Sequence, residues 1–415
     1  MKISAPHYGW IIVSISFLIL TTYGLFFSYG VFFKPIINAF GWSRADTSFA
    51  FSFFMATYAI TAIPMGSLFD RYGPRIPLCL SAVLIGTGFL FCSYTKHLWH
   101  LWIFFGLVAA AGHGAVYVVP VSTIVRWFVA RRGMAVGIAV AGLGAGVSAV
   151  PPIAERLIFI YDWRKAFLIL GFSYTIIHLI GAILLRKSPE EVGTKPYGAF
   201  DIGVNGSSSS RKSASVHAEL TGLTVWEALK TFSFWMVYFS ILLAFASETL
   251  VMVHVVPYAL DLGVTSAVAA GSMTAMGVGS MVGRIAMGAV SDRTGRKKAL
   301  SAAYLLQGIM MLCLLGARSG TSLYVVMAVM GLSFGGWAGV FALLTGEYFG
   351  FKHMGKILAI ILSSGAFSGI LGPFLAGYIF DIAGSYHWAF IVGGSSCFLA
   401  VVMALLIRPK VEVPA

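Results

Sequence analysis

Apolar residues in this chain gather in long runs separated by short polar breaks, so run length is the first structural signal. A helix needs about 20 predominantly apolar residues to cross roughly 30 Å of hydrocarbon. Twelve runs qualify: Gly9 to Phe33, Thr47 to Leu68, Pro77 to Tyr94, Leu101 to Trp127, Gly133 to Ile160, Ala166 to Leu185, Phe232 to Leu260, Ala267 to Ser291, Leu300 to Gly316, Leu323 to Tyr348, Ile357 to Phe380 and Trp388 to Ile407. The first is too long for a cleavable leader, and no small-residue cleavage site closes it. After the sixth run, Lys187 to Thr221 is rich in Ser, Gly and charge, with Ser207 to Ser210 at its middle. Such a stretch cannot bury apolar surface and reads as a mobile linker. Thr224 followed by Glu227 predicts a capping box that opens the helix into the seventh run.

Composition changes the solvent. Hydrophobic residues make up 59% of the chain and charged ones 10%, where a soluble globule carries roughly 25% charged residues. The mean hydropathy is +0.89. These values exclude a water-soluble enzyme and make a lipid bilayer the expected surroundings. The net charge of +13 does not indicate a nucleic-acid partner, because the basic residues flank apolar runs and form no basic face. With the N-terminus inside, inner segments hold 20 of the 28 Lys and Arg residues and outer segments 7. That asymmetry places both termini in the cytoplasm, as expected of an inner or plasma membrane protein. The remaining basic residue is Arg284, inside the eighth run. Cys79, Cys92, Cys313 and Cys397 lie far apart inside apolar runs, a pattern that supports neither a metal site nor a disulfide framework. Asn205-Gly206-Ser207 matches a glycosylation acceptor, but an inside linker never meets that machinery.

The break divides the chain into a six-helix bundle at 1–187, a cytoplasmic linker at 188–224 and a second bundle at 225–415. The halves repeat. Gly66-Ser67-Leu68-Phe69-Asp70-Arg71-Tyr72-Gly73-Pro74-Arg75 reappears as Gly288-Ala289-Val290-Ser291-Asp292-Arg293-Thr294-Gly295-Arg296-Lys297, each position displaced by 222. The same offset carries Gly133 onto Gly355 and Pro151 onto Pro373, while Ala166-Phe167 meets Ala389-Phe390 at 223. One offset held across the chain points to a duplicated unit.

This doubled Gly-x-x-x-Asp-Arg-x-Gly pattern resembles the signature of the major facilitator superfamily. The resemblance implies an all-α membrane protein, twelve transmembrane helices in two pseudo-symmetric six-helix bundles, working as a monomer by alternating access. Gly66 and Gly288 can permit close helix contact. Asp70 and Asp292, with Arg71 and Arg293, can form a cytoplasmic latch at helix termini. A narrower resemblance, to the monocarboxylate porter family including its oxalate/formate antiporter branch, rests on four stretches. They are Trp127-Phe128 through Gly142, Tyr8-Gly9-Trp10, His254 through Gly263, and Gly372 through Asp381. It implies secondary transport of a small carboxylate such as lactate or pyruvate, with oxalate/formate-type exchange or, further off, drug export as alternatives.

The candidate site follows from polar groups at depth. Arg284 lies seven residues before Ser291, about 10 Å into the apolar layer at 1.5 Å per residue. A guanidinium there costs roughly 2.5 to 3.5 kcal/mol on insertion scales, and a substrate carboxylate matches its flat two-pronged donor. A fixed protein carboxylate, or snorkelling, is the structural alternative. Glu248, midway along the seventh run, can carry a proton or serve as the resting counter-ion of Arg284. His254 can take part in proton coupling or be structural, and His113 can face a cavity or be packed. Tyr117, one turn beyond His113, and Trp337 sit among small residues that leave room for a substrate. The family's animal members carry a lysine in span one and an aspartate one turn before the span-eight arginine. Here Lys34 stands only at the outer end of span one, and Ser280 occupies the aspartate's place. No Gly-x-x-x-x-Gly-Lys-[Ser/Thr] occurs, so neither ATP nor any other cofactor or metal is expected. The resemblance implies a second buried cation in span eleven of the family's dicarboxylate antiporters, and Ile357 to Phe380 holds no Lys or Arg, which favours a monocarboxylate.

Overall fold

The computed structural model describes residues 5–128, 132–197, 222–350 and 354–408. Among these are twelve helices long and apolar enough to cross a bilayer. In chain order they are α1 (Tyr8–Phe40), α2 (Arg44–Tyr72), α3 (Arg75–Ser93), α4 (Leu98–Trp127), α5 (Arg132–Tyr161) and α6 (Trp163–Leu184), then α7 (Phe232–Asp261), α8 (Ser266–Thr294), α9 (Arg296–Gly316), α10 (Gly320–Phe349), α11 (Met354–Ala383) and α12 (His387–Leu406). The predicted sequence of elements is therefore present. The middle of the expected linker, with Asn205 and the basic pair Arg211 and Lys212, lies outside the described residues, as do Lys2, Arg131, Lys352 and Lys410.

The helices divide into two compact units at residues 205 and 206. Both ends of α2 map onto both ends of α8 at an offset of 222, and α5 maps onto α11 at the same offset. Pairing repeats as well: α1 with α5, α2 with α4 and α3 with α6 in the first unit correspond to α7 with α11, α8 with α10 and α9 with α12 in the second.

Local chemistry sets the ends. Ser43 caps α2 by accepting from the Asp46 amide at 3.0 Å. The predicted capping box is formed, with Glu227 Oε2 accepting from the Thr224 amide at 2.7 Å and Thr224 Oγ1 from the Glu227 amide at 3.3 Å. It opens a short helix, Val225–Lys230, and Thr231 then caps α7. One boundary differs from expectation. The first helix was expected to end at Phe33 but runs to Phe40, which takes Lys34 inside it. Lys34 and Pro35 break the hydropathy but not the helix; Gly41, at φ 70°, ends it. The same helix is interrupted earlier, at Thr22 and Tyr23, where bonds from residue i to i−3 replace the regular ladder.

Among the described glycines of the second unit, an added Cβ would come nearest to a neighbouring backbone between α8 and α10. A Cβ on Gly279 or Gly283 would fall 2.0 Å from the carbonyl oxygen of Ala328 or Leu332, and one on Gly331 or Gly335 would fall 1.9 Å from that of Met276 or Ser280. Four glycines at four-residue spacing on facing helices leave no room for any side chain, the arrangement by which small residues join helices in lipid.

Candidate functional site

Arg284 lies on α8 four residues beyond its midpoint, Ser280, and is half-buried. Its helix is locked to α10 by the glycine seam, and Gly339 of α10 faces the Arg284 backbone, a Cβ there standing 3.6 Å from its carbonyl oxygen. The seam fixes where the guanidinium starts from, and the long side chain decides what it reaches.

Glu248 is fully buried on α7, and neither carboxyl oxygen has a hydrogen-bond partner. The resting pair with Arg284 that the sequence allowed is therefore not formed. One turn back along α7, the carbonyl of Ala244 accepts from Gln307 Nε2 of α9 at 2.8 Å. Gln307 Oε1 in turn accepts from Trp337 Nε1 at 2.8 Å. Trp337 is 4% exposed and packs against Phe245, Phe334, Phe341 and Tyr304. The open space that its small neighbours suggested is filled by the helices themselves, and its indole ties α10 to α9. Gln307, which sequence reasoning passed over, completes that tie. It is the chain's one glutamine, and a lone amide within an apolar run was the available signal.

His254 is held at both ring nitrogens. Nδ1 meets the Tyr386 hydroxyl at 2.9 Å and Nε2 the Pro373 carbonyl at 2.9 Å. Because a carbonyl only accepts, Nε2 carries the proton and Nδ1 accepts from the phenol. His254 is a strut between α7, α11 and the turn before α12.

In the first unit His113 is buried, edge-on to Phe26 and Phe54, with Nδ1 3.4 Å from the Ala109 carbonyl and no hydrogen-bond partner at Nε2. Near it, beside the interruption in α1, the hydroxyls of Tyr23 and Tyr58 meet directly. Tyr117, one turn beyond His113, is 38% exposed. In the sequence Tyr23 counts among the aromatics that ordinarily pack, and Tyr58 is not singled out.

The repeated motif sits at equivalent helix ends with different partners. Asp70 Oδ1 accepts from Arg126 Nη2 of α4 at 2.7 Å, and Lys187 Nζ donates to the Asp70 carbonyl at 2.5 Å. Asp292 pairs instead with Arg296, four residues on, at 2.5 Å. Arg71 lies over the Tyr72 ring, while Arg293 is exposed. The second motif glycines, Gly73 and Gly295, hold φ of 76° and 89°, a left-handed turn that a side chain would strain. A Cβ at Gly66 would stand 3.3 Å from the Val118 side chain, but one at Gly288 would meet nothing within 4 Å. The close contact expected at Gly288 is not made within its unit.

Duplicated six-helix units, a doubled Asp-Arg turn and a mid-helix arginine define a major-facilitator-type membrane protein. The family model described as the Major Facilitator Superfamily matches residues 15–258 and 237–415, and the chain belongs to that superfamily of multi-pass membrane transporters. It is 27% identical over 412 residues to Monocarboxylate transporter 12 of Xenopus laevis, covering 96% of this chain and 89% of that one. It is 28% identical over 394 residues to Monocarboxylate transporter 13 of Rattus norvegicus, covering 94% and 86%. The crystal structure of a bacterial homologue of the human lysosomal transporter Spinster, inward-facing and unoccupied, matches with a TM-score of 0.66 at 16% identity, over 96% of this chain and 95% of that one. At that identity the likeness is one of fold.

Proposed function

We propose that the protein is a secondary transporter of small monocarboxylates, of the lactate or pyruvate kind, coupled to protons and working by alternating access. Arg284 carries the reading. A guanidinium near the midpoint of an apolar helix is costly, and a visiting carboxylate offsets that cost through two charge-assisted hydrogen bonds. Relatives named as monocarboxylate transporters over nearly the whole chain support the cargo class.

Glu248 carries the coupled proton. Its two unpartnered oxygens, in a fully buried position, suit a group that exchanges a proton rather than a standing ion pair. His254, with both nitrogens committed to the protein, is the weaker of the two coupling candidates. His113 and Tyr117 supply polar contacts from the first unit, and Trp337 supports the second. The Asp70 and Asp292 turns act as the cytoplasmic latch, in an inner or plasma membrane with both termini inside.

The test is uptake of labelled lactate and pyruvate into liposomes under an imposed pH gradient. Wild type should accumulate both, and Arg284→Gln should not. Uptake that survives this substitution unchanged removes the clamp. Counterflow that needs substrate on both sides and ignores the pH gradient replaces symport by organic-anion exchange.

A further inference from the structure

A cavity of about 560 Å³ opens at one end of the second unit, where the turns α7–α8, α9–α10 and α11–α12 lie. Two leucines and two tyrosines make the apolar part of its lining. The Tyr258 hydroxyl donates to the Leu314 carbonyl at 2.6 Å, and the Tyr386 hydroxyl is engaged by His254. Both tyrosines line the space, their rings 6.2 Å apart and nearly perpendicular, and Leu262 and Leu315 extend the wall. The rim is polar and basic. Arg318 and His387 are exposed there and line the opening. No acidic side chain lines the cavity: Asp261 and Asp381, the acids nearest in sequence, are not part of it. The first turn of α12, which starts at its edge, also bears none.

We infer that this pocket is a second anion site, taking a small carboxylate with an apolar tail of about the size of a phenyl ring. The carboxylate meets Arg318, with His387 and the Ser385 hydroxyl beside it, and the tail lies against Leu262, Leu315 and the two tyrosine rings. The site is separate from Arg284. That residue lies 18 positions along α8 from Ser266, about 27 Å down the helix axis at 1.5 Å per residue. Only the choice of probe rests on the proposed cargo; the pocket does not depend on the clamp.

The test is equilibrium binding of phenylpyruvate, with pyruvate as the short-tailed comparison, to the purified full-length chain. Arg284→Gln should retain saturable phenylpyruvate binding, with pyruvate at least fivefold weaker at that residual site. Adding Arg318→Ala should weaken the residual binding at least tenfold. Adding Leu315→Trp instead, which fills the cavity and leaves every charge in place, should abolish it. Absence of saturable binding in Arg284→Gln overturns the inference, and so does residual binding that either second substitution leaves within twofold. The two readings fail separately, since lost uptake in Arg284→Gln bears on the cargo and retained binding in the same variant bears on this pocket.

Discussion

The two units share one scaffold but fill it differently. Where α8 and α10 touch through Gly279, Gly283, Gly331 and Gly335, the positions 222 residues earlier are Thr57, Thr61, Ala109 and His113. The first unit puts side chains where the second has bare backbone, and its buried imidazole occupies the place of Gly335. The first unit concentrates its glycines elsewhere. A Cβ on Gly142 or Gly146 of α5 would fall 2.3 Å from the carbonyl oxygen of Phe17 or Thr21 of α1. The second unit has Ser364 and Ser368 there, and Ser368 Oγ donates to the Leu242 carbonyl at 2.6 Å. The charges are as unequal. Arg284 corresponds to Ala62 and Glu248 to Phe26 at the same offset. Duplication thus supplied two equivalent frames, of which the second carries the half-buried Arg284 and the buried Glu248 and braces its arginine-bearing helix with the tighter seam.

The seam offers the largest effect. Gly283→Ala or Gly335→Ala forces a methyl to about 2 Å from a carbonyl oxygen, an overpacking that costs roughly 1–3 kcal/mol or more. Each should lower the thermal midpoint by many degrees or prevent recovery of folded protein. Gly288→Ala, which enters open space, should change stability by no more than about 0.5 kcal/mol. If all three behave alike in thermal denaturation, the seam does not brace α8.

Next in size is the effect of Glu248→Gln. The amide keeps the carboxyl's shape, so folding should survive, and the proposed coupling predicts that uptake stops responding to a pH gradient while substrate counterflow persists. A variant that still concentrates substrate in proportion to the gradient would move the proton elsewhere and erase the main functional asymmetry between the units.

Trp337→Phe should have a middling effect, and on stability rather than affinity. It leaves Gln307 Oε1 buried without its donor, at about 1–3 kcal/mol, and should lower the thermal midpoint while leaving KM for uptake nearly unchanged. A raised KM at unchanged stability would return Trp337 to the substrate path that its glycine neighbours suggested.

That example marks the limit of the sequence signal. The twelve helices and the two-unit plan were legible because bilayer length and one repeated offset are properties of the string itself. Arg284 was legible for the same reason, since it stands seven residues from the nearer end of its run, deeper than Arg126 or Arg156 in theirs. The direction a side chain faces is not a property of the string. Trp337 sits among small residues on either reading, and only the positions of α9 and α7 decide that the room is taken. His254 could have been a free titrating group until Tyr386 and Pro373, more than a hundred residues away, were found at its two nitrogens. Lys34 misled in the opposite sense, since a charge and a proline ended the run in hydropathy without ending the helix.

The smallest expected difference concerns the repeated motif. In the first unit Asp70 is bridged across helices by Arg126, whose guanidinium also lies 4.6 Å from the centre of the Phe69 ring. In the second, the position equivalent to Arg126 is Tyr348, so Asp292 has only Arg296, across the Gly295 turn. Asp70 and Asp292 are 73% and 66% exposed, and exposed ion pairs contribute about 0.2–1 kcal/mol. The cation–π contact adds a similar amount on one side only. Arg126→Gln should therefore cost about 1 kcal/mol and Arg296→Gln about half of that, read from thermal denaturation. Raising the salt from 0.1 to 1 M shortens the screening length from about 10 to 3 Å. Most of the Arg296 effect should then vanish, while the part of the Arg126 effect that comes from packing on Phe69 remains. Equal losses at both sites, equally screened, would mean that the two turns are interchangeable and that the cross-helix bridge adds nothing to the first unit.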